Sequence, residues 1–217
     1  NVGTGATYTT TSLTNGQVVT CVMTSSSACA SPTTATSGNI TMTVNPIVVP
    51  SVATALTTGS NPMCAGASAT FTATPTNGGT TPSYQWQVNG VNVGTGTTYT
   101  TTGLTNGQNV TCILTSNASC ATPTTATSTA INMTVNPVVV PSVSIALTTG
   151  TNPMCAGSNA TFTATPTNGG TPSYQWKLNG TNAGTGATYT NASLSNGDAV
   201  TCVMTSTATC ATPTTAT

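Results

Sequence analysis

The 217 residues include one Lys and one Asp, Lys177 and Asp198, and no Arg, Glu or His. A chain without a basic face neither neutralises phosphates nor adheres to anionic lipid, which excludes nucleic-acid binding and electrostatic membrane attachment. With 36% hydrophobic residues, zero net charge and 57 threonines, the composition is that of a folded, strand-rich chain rather than a disordered one.

In chain order, Thr7–Thr11 reads as a strand, Leu13-Thr14-Asn15-Gly16 as a tight turn, and Val18 to Thr24 as the next strand. The loop Ser25 to Ser37 holds Cys29 and Pro32, and Ile40 to Val44 closes this first segment. Asn45 to Pro50 reads as a linker that its two prolines stiffen. Strands are then predicted near 52–57, 68–74, 83–88, 91–93, 97–102, 108–115 and 129–135, separated by Gly/Pro/Asn/Ser clusters. Alternation at period two puts Phe71 and Ala73 on one face of their strand and Thr70, Thr72 and Thr74 on the other. Seven short strands without helical periodicity predict an all-β chain of immunoglobulin-like β-sandwiches.

The chain repeats. Pro46, Cys64 and Cys112 recur as Pro137, Cys155 and Cys202, a spacing of 91 residues that falls to 90 after one Thr is lost beside Gly79. Tyr8, Cys21 and Cys29 likewise match Tyr99, Cys112 and Cys120. The expected organisation is the C-terminal part of one repeat (1–45), a complete repeat (46–136) and a repeat lacking its last strand (137–217), a window on a longer array. The core of the complete repeat is expected at Phe71, Tyr84, Trp86, Val88, Tyr99, Leu104, Val110, Cys112, Leu114, Ile131, Met133 and Val135. The third repeat places Phe162, Tyr174, Trp176, Leu178, Tyr189, Leu194, Val200, Cys202 and Met204 in the same way. Phe71, Trp86, Tyr99, Phe162, Trp176 and Tyr189 are the core anchors.

Several stretches carry a resemblance. Met63-Cys64-Ala65-Gly66, Thr70-Phe71-Thr72-Ala73, Tyr84-Gln85-Trp86, Asn89-Gly90, and Leu104-Thr105-Asn106-Gly107 before Val110-Thr111-Cys112 resemble the immunoglobulin-like and PKD-like repeats of large Bacteroidetes surface proteins. The resemblance spans the whole chain and implies an adhesin, a gliding-associated protein or a cell-surface filament. Two departures stand out. The residue expected opposite Cys112 is Ala73, which leaves the usual core disulfide without its second cysteine, and Val110 replaces the tyrosine-corner residue.

The eight cysteines, Cys21, Cys29, Cys64, Cys112, Cys120, Cys155, Cys202 and Cys210, are disulfide candidates and suit a secreted, cell-surface protein. A bond within the repeat, among Cys64, Cys112 and Cys120, is the preferred reading. The alternative joins Cys64 to Cys210 of the next repeat and leaves Cys112 as a buried thiol. Without His or a Cys-x-x-Cys pair no metal site is expected, and no cofactor. Catalysis lacks its parts as well: there is no His, no carboxylate pair, and no base beside any Ser, Thr or Cys. Lys177 with Asp198 occurs in the third repeat alone, so an isopeptide bond is not a property of the repeat.

The threonine rows and the two tryptophans read more simply as a strand's solvent face and as core than as ice-binding or sugar-stacking surfaces. Seven Asn-x-Ser/Thr sequons, at Asn39, Asn109, Asn117, Asn132, Asn159, Asn179 and Asn191, are weak signals in so Thr-rich a chain. Strand edges unguarded by charge predict lateral association between identical chains. The functional expectation is a non-enzymatic repeat array, a filament or adhesin stalk whose partners are neighbouring repeats and identical chains. The alternative is a glycan-binding or surface-binding module using loops Thr76–Pro82 and Ser116–Ser128.

Overall fold

The computed structural model describes all 217 residues and builds them from strands and turns, with no helix. Two compact units divide the chain. One gathers Asn1–Ala53, Thr74–Tyr84 and Ile113–Ser128; the other gathers Thr54–Ala73, Gln85–Cys112 and Thr129–Thr217.

The first 45 residues hold β1 (Val18–Val19), β2 (Val22–Thr24), β3 (Thr34–Thr36) and β4 (Ile40–Thr41). β1 pairs antiparallel with β4, and β2 with β3. Ten strands follow up to Asn136: β5 (Ser51–Thr58), β6 (Met63–Cys64), β7 (Ala69–Thr76), β8 (Ser83–Val88), β9 (Val91–Thr95), β10 (Thr98–Thr101), β11 (Asn109–Thr115), β12 (Thr125–Thr127), β13 (Ile131–Asn132) and β14 (Val135–Asn136). The rest of the chain forms β15 (Ser142–Thr149), β16 (Ala160–Thr167), β17 (Ser173–Leu178), β18 (Thr181–Thr185), β19 (Thr188–Asn191), β20 (Val200–Thr205) and β21 (Thr215–Ala216).

These last seven strands make an immunoglobulin-like sandwich. One sheet has the order β15-β16-β19 and the other β18-β17-β20-β21. The same orders occur one repeat earlier, as β5-β7-β10 and β9-β8-β11-β12, with β13 also on β11 and a parallel pair of β6 with β14. Alternation along β16 turns Phe162 and Ala164 inward. There, with Val143 and Tyr189, they meet Tyr174, Trp176, Val200 and Cys202 of the facing sheet. Trp176 is fully buried, and its ring lies 6.3 Å from Phe162 and 5.8 Å from Tyr189, centroid to centroid. Trp86, Phe71 and Tyr99 form the equivalent trio at 6.2 to 6.3 Å. Each indole N–H is satisfied by a glycine carbonyl, Trp86 by Gly96 at 3.0 Å and Trp176 by Gly186 at 2.9 Å.

The outward threonines interlock. Thr57 and Thr72 share a hydroxyl hydrogen bond of 2.9 Å, as do Thr70 and Thr100. Thr148 with Thr163 and Thr161 with Thr190 repeat both contacts at 2.9 Å. Cross-strand hydroxyl pairs do here what ion pairs do on most sheets. Asn89-Gly90 and Asn179-Gly180 turn β8 into β9 and β17 into β18 with φ of 50° and 80°, then 51° and 80°. Both central residues of a two-residue hairpin turn need positive φ to match the strand twist, and Asn-Gly supplies it.

Five expectations are corrected. Thr7–Thr11 forms no strand. Its counterpart β10 exists by pairing with β7, Tyr99 opposite Phe71, and the first 45 residues contain no counterpart of β7. The run Val18 to Thr24 breaks at Thr20-Cys21, and the closing strand is only Ile40–Thr41. The loops read at Ser25–Ser37 and Ser116–Ser128 each contain a short strand, β3 and β12. The strand read at 129–135 is two strands, β13 on β11 and β14 on β6, because the chain crosses between partners at Met133-Thr134.

Truncating either tryptophan removes the largest side chain of its core. Trp86→Ala is expected to cost about 3–5 kcal/mol. Urea denaturation of the wild-type and variant chains followed by circular dichroism, which reports both sandwiches, checks this, and a cost below 1 kcal/mol would contradict the core described here.

Candidate functional site

The segment read as a linker, Asn45–Pro50, is docked. Val48 N–H donates to Cys120 O at 3.1 Å, Thr122 N–H donates to Val48 O at 3.0 Å, and Asn77 Nδ2 donates to Val49 O at 2.9 Å. The next linker copies this arrangement. Val139 N–H donates to Cys210 O at 3.0 Å, Thr212 N–H to Val139 O at 2.9 Å, and Asn168 Nδ2 to Val140 O at 3.0 Å. Upstream, β14 is held against β6 with Val135 beside Met63 and Asn136 beside Cys64. Only Pro137 and Val138 therefore lie between one anchored stretch and the next. Proline fixes its own φ and restricts the residue before it, so this short gap has little freedom.

A disulfide spans the same place. It joins Cys64 to Cys210, with the Cα atoms 5.4 Å apart. The preferred intra-repeat bond is therefore corrected. Cys112 lies on an inward face of β11, fully buried in the sandwich, whereas Cys64 ends the edge strand β6 and points to the following repeat. Cys210 is reached because its loop receives the linker leaving Cys64's own neighbour, Asn136. Its backbone sits at φ of 64°, a conformation that L residues other than Asn and Gly rarely adopt. Cys120 repeats that backbone, at φ of 61°.

The other cysteines divide cleanly. Cys21, Cys29, Cys120 and Cys155 are exposed thiols, and Cys112 and Cys202 are buried ones. Burial pushes the Cys112 thiol up to about 11, against a backbone hydrogen bond at Gln85 that pulls it down, and burial raises Cys202 as well. Lys177 and Asp198 do not form a reactive pair. The Asp198 carboxylate accepts from Ser195 N–H at 2.7 Å and from Asn179 Nδ2 at 2.8 Å, which lowers its pKa. No group of three His, Cys, Asp or Glu side chains is placed to hold a metal ion.

The loops considered as binding surfaces are tied to each other. Asn117 N–H donates to Gly78 O at 3.0 Å, Thr81 N–H donates to Asn117 Oδ1 at 3.0 Å, and Asn117 Nδ2 donates to Thr81 Oγ1 at 2.7 Å. Ser116 Oγ, buried beneath them, donates to Asn77 O at 2.7 Å. Gly79, at φ of 86°, lies so close to Asn117 that a Cβ there would collide with its side chain and backbone. Asn77 and Ser116 thus belong to the machinery that seats the linker.

Val48, Val139, Asn77 and Asn168 are the functional residues that sequence reasoning missed. The signal was the β-branched run between prolines, Ile47-Val48-Val49 and Val138-Val139-Val140, which suits a strand better than a free connector.

Alkylation with iodoacetamide resolves the thiol classes. Cys21, Cys29, Cys120 and Cys155 should label in the native protein, Cys112 and Cys202 only on unfolding, and Cys64 and Cys210 only after reduction. A thiol whose pKa rises on folding stabilises the fold below its unfolded value and loses that contribution as pH climbs through the gap. Stability should therefore fall above about pH 9. Rapid native labelling of Cys112 would contradict this.

No family model matches the chain, and no curated protein matches it. Among solved structures, it is similar to the fibronectin(III)-like modules of Clostridium thermocellum CbhA, at 14% identity over 76% of this chain and 91% of that one, with a TM-score of 0.36.

Proposed function

We propose that this chain is a load-bearing spacer, an array of immunoglobulin-like repeats bounded at residues 46 and 137 that serves as the stalk of an adhesin or as part of a secreted or cell-surface filament. The observation that carries this reading is the disulfide that bonds one repeat to the next across a docked linker. A covalent clamp between successive domains resists their separation. A tensile element benefits from one, because the linker is where an array yields first. Disulfides also persist in oxidising surroundings outside the cytosol, in keeping with an extracellular place. The reading includes no catalysis and no cofactor. The inter-strand loops serve the joint, which sets the glycan-binding alternative second.

The disulfide acts on stability and on extension. Its sequence separation of 146 residues gives, in chain-entropy terms, a stabilisation of about 5 kcal/mol. Under force it withholds the span it encloses. Single-molecule stretching of the full chain from its ends tests the proposal. With the disulfide intact the 146 residues between Cys64 and Cys210 stay out of the extension, and reduction or Cys210→Ser releases roughly 500 Å more contour at about 3.5 Å per residue. Equal extensions with and without reductant would overturn the mechanical reading.

A further inference from the structure

The complete repeat keeps a long strand with a free edge. In the sheet order β10-β7-β5, β5 lies at the end with β7 as its one neighbour, although every strand of the repeat through β14 is in place. Its eight residues, Ser51–Thr58, alternate between a core side and an outer side. Val52 is buried and Thr54 and Leu56 are half-buried, whereas Ala53 and Ala55 are exposed. Thr54 Oγ1 donates to Thr129 O at 3.4 Å, which holds the middle of β5 to the body of the repeat. Along the far edge of such a strand, alternate backbone N–H and C=O groups face outward with no strand to bond, the condition under which one sheet pairs with another.

The other edges of the repeat are less suited to this. β9 carries a bulge: Trp86 faces Gly94 and Gln87 faces Asn92, so Val93 has no residue opposite. β10 is four residues long, β12 three and β13 two. By contrast, β5 is long, and Ser51–Thr58 contains no Pro and no charged side chain, the usual guards of an edge. β15 has the same character. It ends the order β15-β16-β19, with Val143 and Leu147 half-buried, Ser144 and Ala146 exposed, and an unbroken register from Ser142 to Leu147. Since β5 is open in a repeat that has all its strands, the free edge belongs to the repeat itself.

We propose that the free edge of β5 pairs antiparallel with β5 of a second copy of this chain, and β15 with β15, so that copies join side by side through continuous sheets. A two-fold axis perpendicular to the sheet at Thr54 keeps the core faces of both copies on one side. It sets Val52 opposite Leu56 on that side and Ala53 opposite Ala55 on the outer side, so the strand is complementary to itself. At Ile145 the same operation sets Val143 opposite Leu147 and Ser144 opposite Ala146. Two neutral edges approach with no repulsion and no ions to desolvate, and small Ala and Ser side chains let the backbones reach the strand spacing of about 4.8 Å. Backbone hydrogen bonds supply the attraction, and the half-buried Leu56 loses its remaining contact with water. A chain with two such edges, each taking one partner, grows into ribbons instead of closing as a dimer. The inference rests on the array reading for its biological use, as cohesion between neighbouring chains, and its chemistry stands apart from it.

The test uses the full chain with Cys21→Ser, Cys29→Ser, Cys120→Ser and Cys155→Ser, which removes the exposed thiols and keeps the Cys64–Cys210 bond. Sedimentation velocity from low to high micromolar should show open-ended association. Ala53→Lys with Ala55→Lys brings like charges face to face at β5 and should halt growth at dimers held by β15. Adding Ser144→Lys with Ala146→Lys should weaken the remaining association by roughly tenfold or more while circular dichroism stays unchanged, since all four positions are exposed. A chain with Ala53→Glu, Ala55→Glu, Ser144→Glu and Ala146→Glu should be equally weakened, and an equimolar mixture of the Lys and Glu chains should associate again. Val91→Lys with Val93→Lys, on the bulged edge of β9, should change nothing. A monomer at all concentrations before any Lys is introduced, association that survives Lys at both edges, or a Lys–Glu mixture that stays monomeric would overturn the inference. None of these results bears on the single-chain force measurement, so the array reading fails or survives separately.

Discussion

The constraint on which this protein depends is the fixing of its linker from both sides. Asn136 is held in register with Cys64, and three residues later Val139 is held against Cys210 and Thr212. Two anchored stretches with only Pro137 and Val138 between them leave no length for a swinging connector. The Cys64–Cys210 bond follows from that geometry, because the same short path brings edge strand and receiving loop together at a Cα separation of 5.4 Å. The loops follow from it too. Asn77 and Asn168 give their side-chain amides to linker carbonyls, and Ser116, Asn117 and Gly79 shape the loops that present them.

The near-absence of charge becomes intelligible against this frame. A sheet face lined with Thr can pair hydroxyl with hydroxyl across strands, as Thr57 with Thr72 and Thr148 with Thr163 do, with neither desolvated ions nor screening by salt. Buried polar atoms are all partnered: no buried side-chain nitrogen or oxygen lacks a hydrogen bond. Stability rests on cores built around one Trp, one Phe and two Tyr per repeat. Burial raises the pKa of the Cys112 and Cys202 thiols within these cores, which keeps both protonated at ordinary pH.

Much of this was legible in the sequence, and the misses share a cause. Period-two alternation in Thr70–Thr74 and Tyr84–Val88 marks inward and outward faces directly, because strand geometry leaves no other arrangement. The Asn-Gly turns are equally local. The joint was not local. Pro46 and Pro50 suggested an extended linker, and nothing within Asn45–Pro50 names Cys120 as the place where Val48 lands. The disulfide was misjudged for the same reason. Proximity within a repeat favoured one pairing, whereas the parallel β6–β14 contact, between residues over seventy apart, decides the other. Thr7–Thr11 failed in the opposite sense: its pattern is that of a strand, but a strand needs a neighbour.

Amide hydrogen exchange at Val139 tests the central claim most directly. If the linker is docked, this N–H, bonded to Cys210 O in the middle of a nominal connector, exchanges as slowly as amides of β16 and β20. Exchange at the rate of an exposed loop, with the Cys64–Cys210 bond intact, would mean that the repeats are tethered but not fixed and would contradict the account.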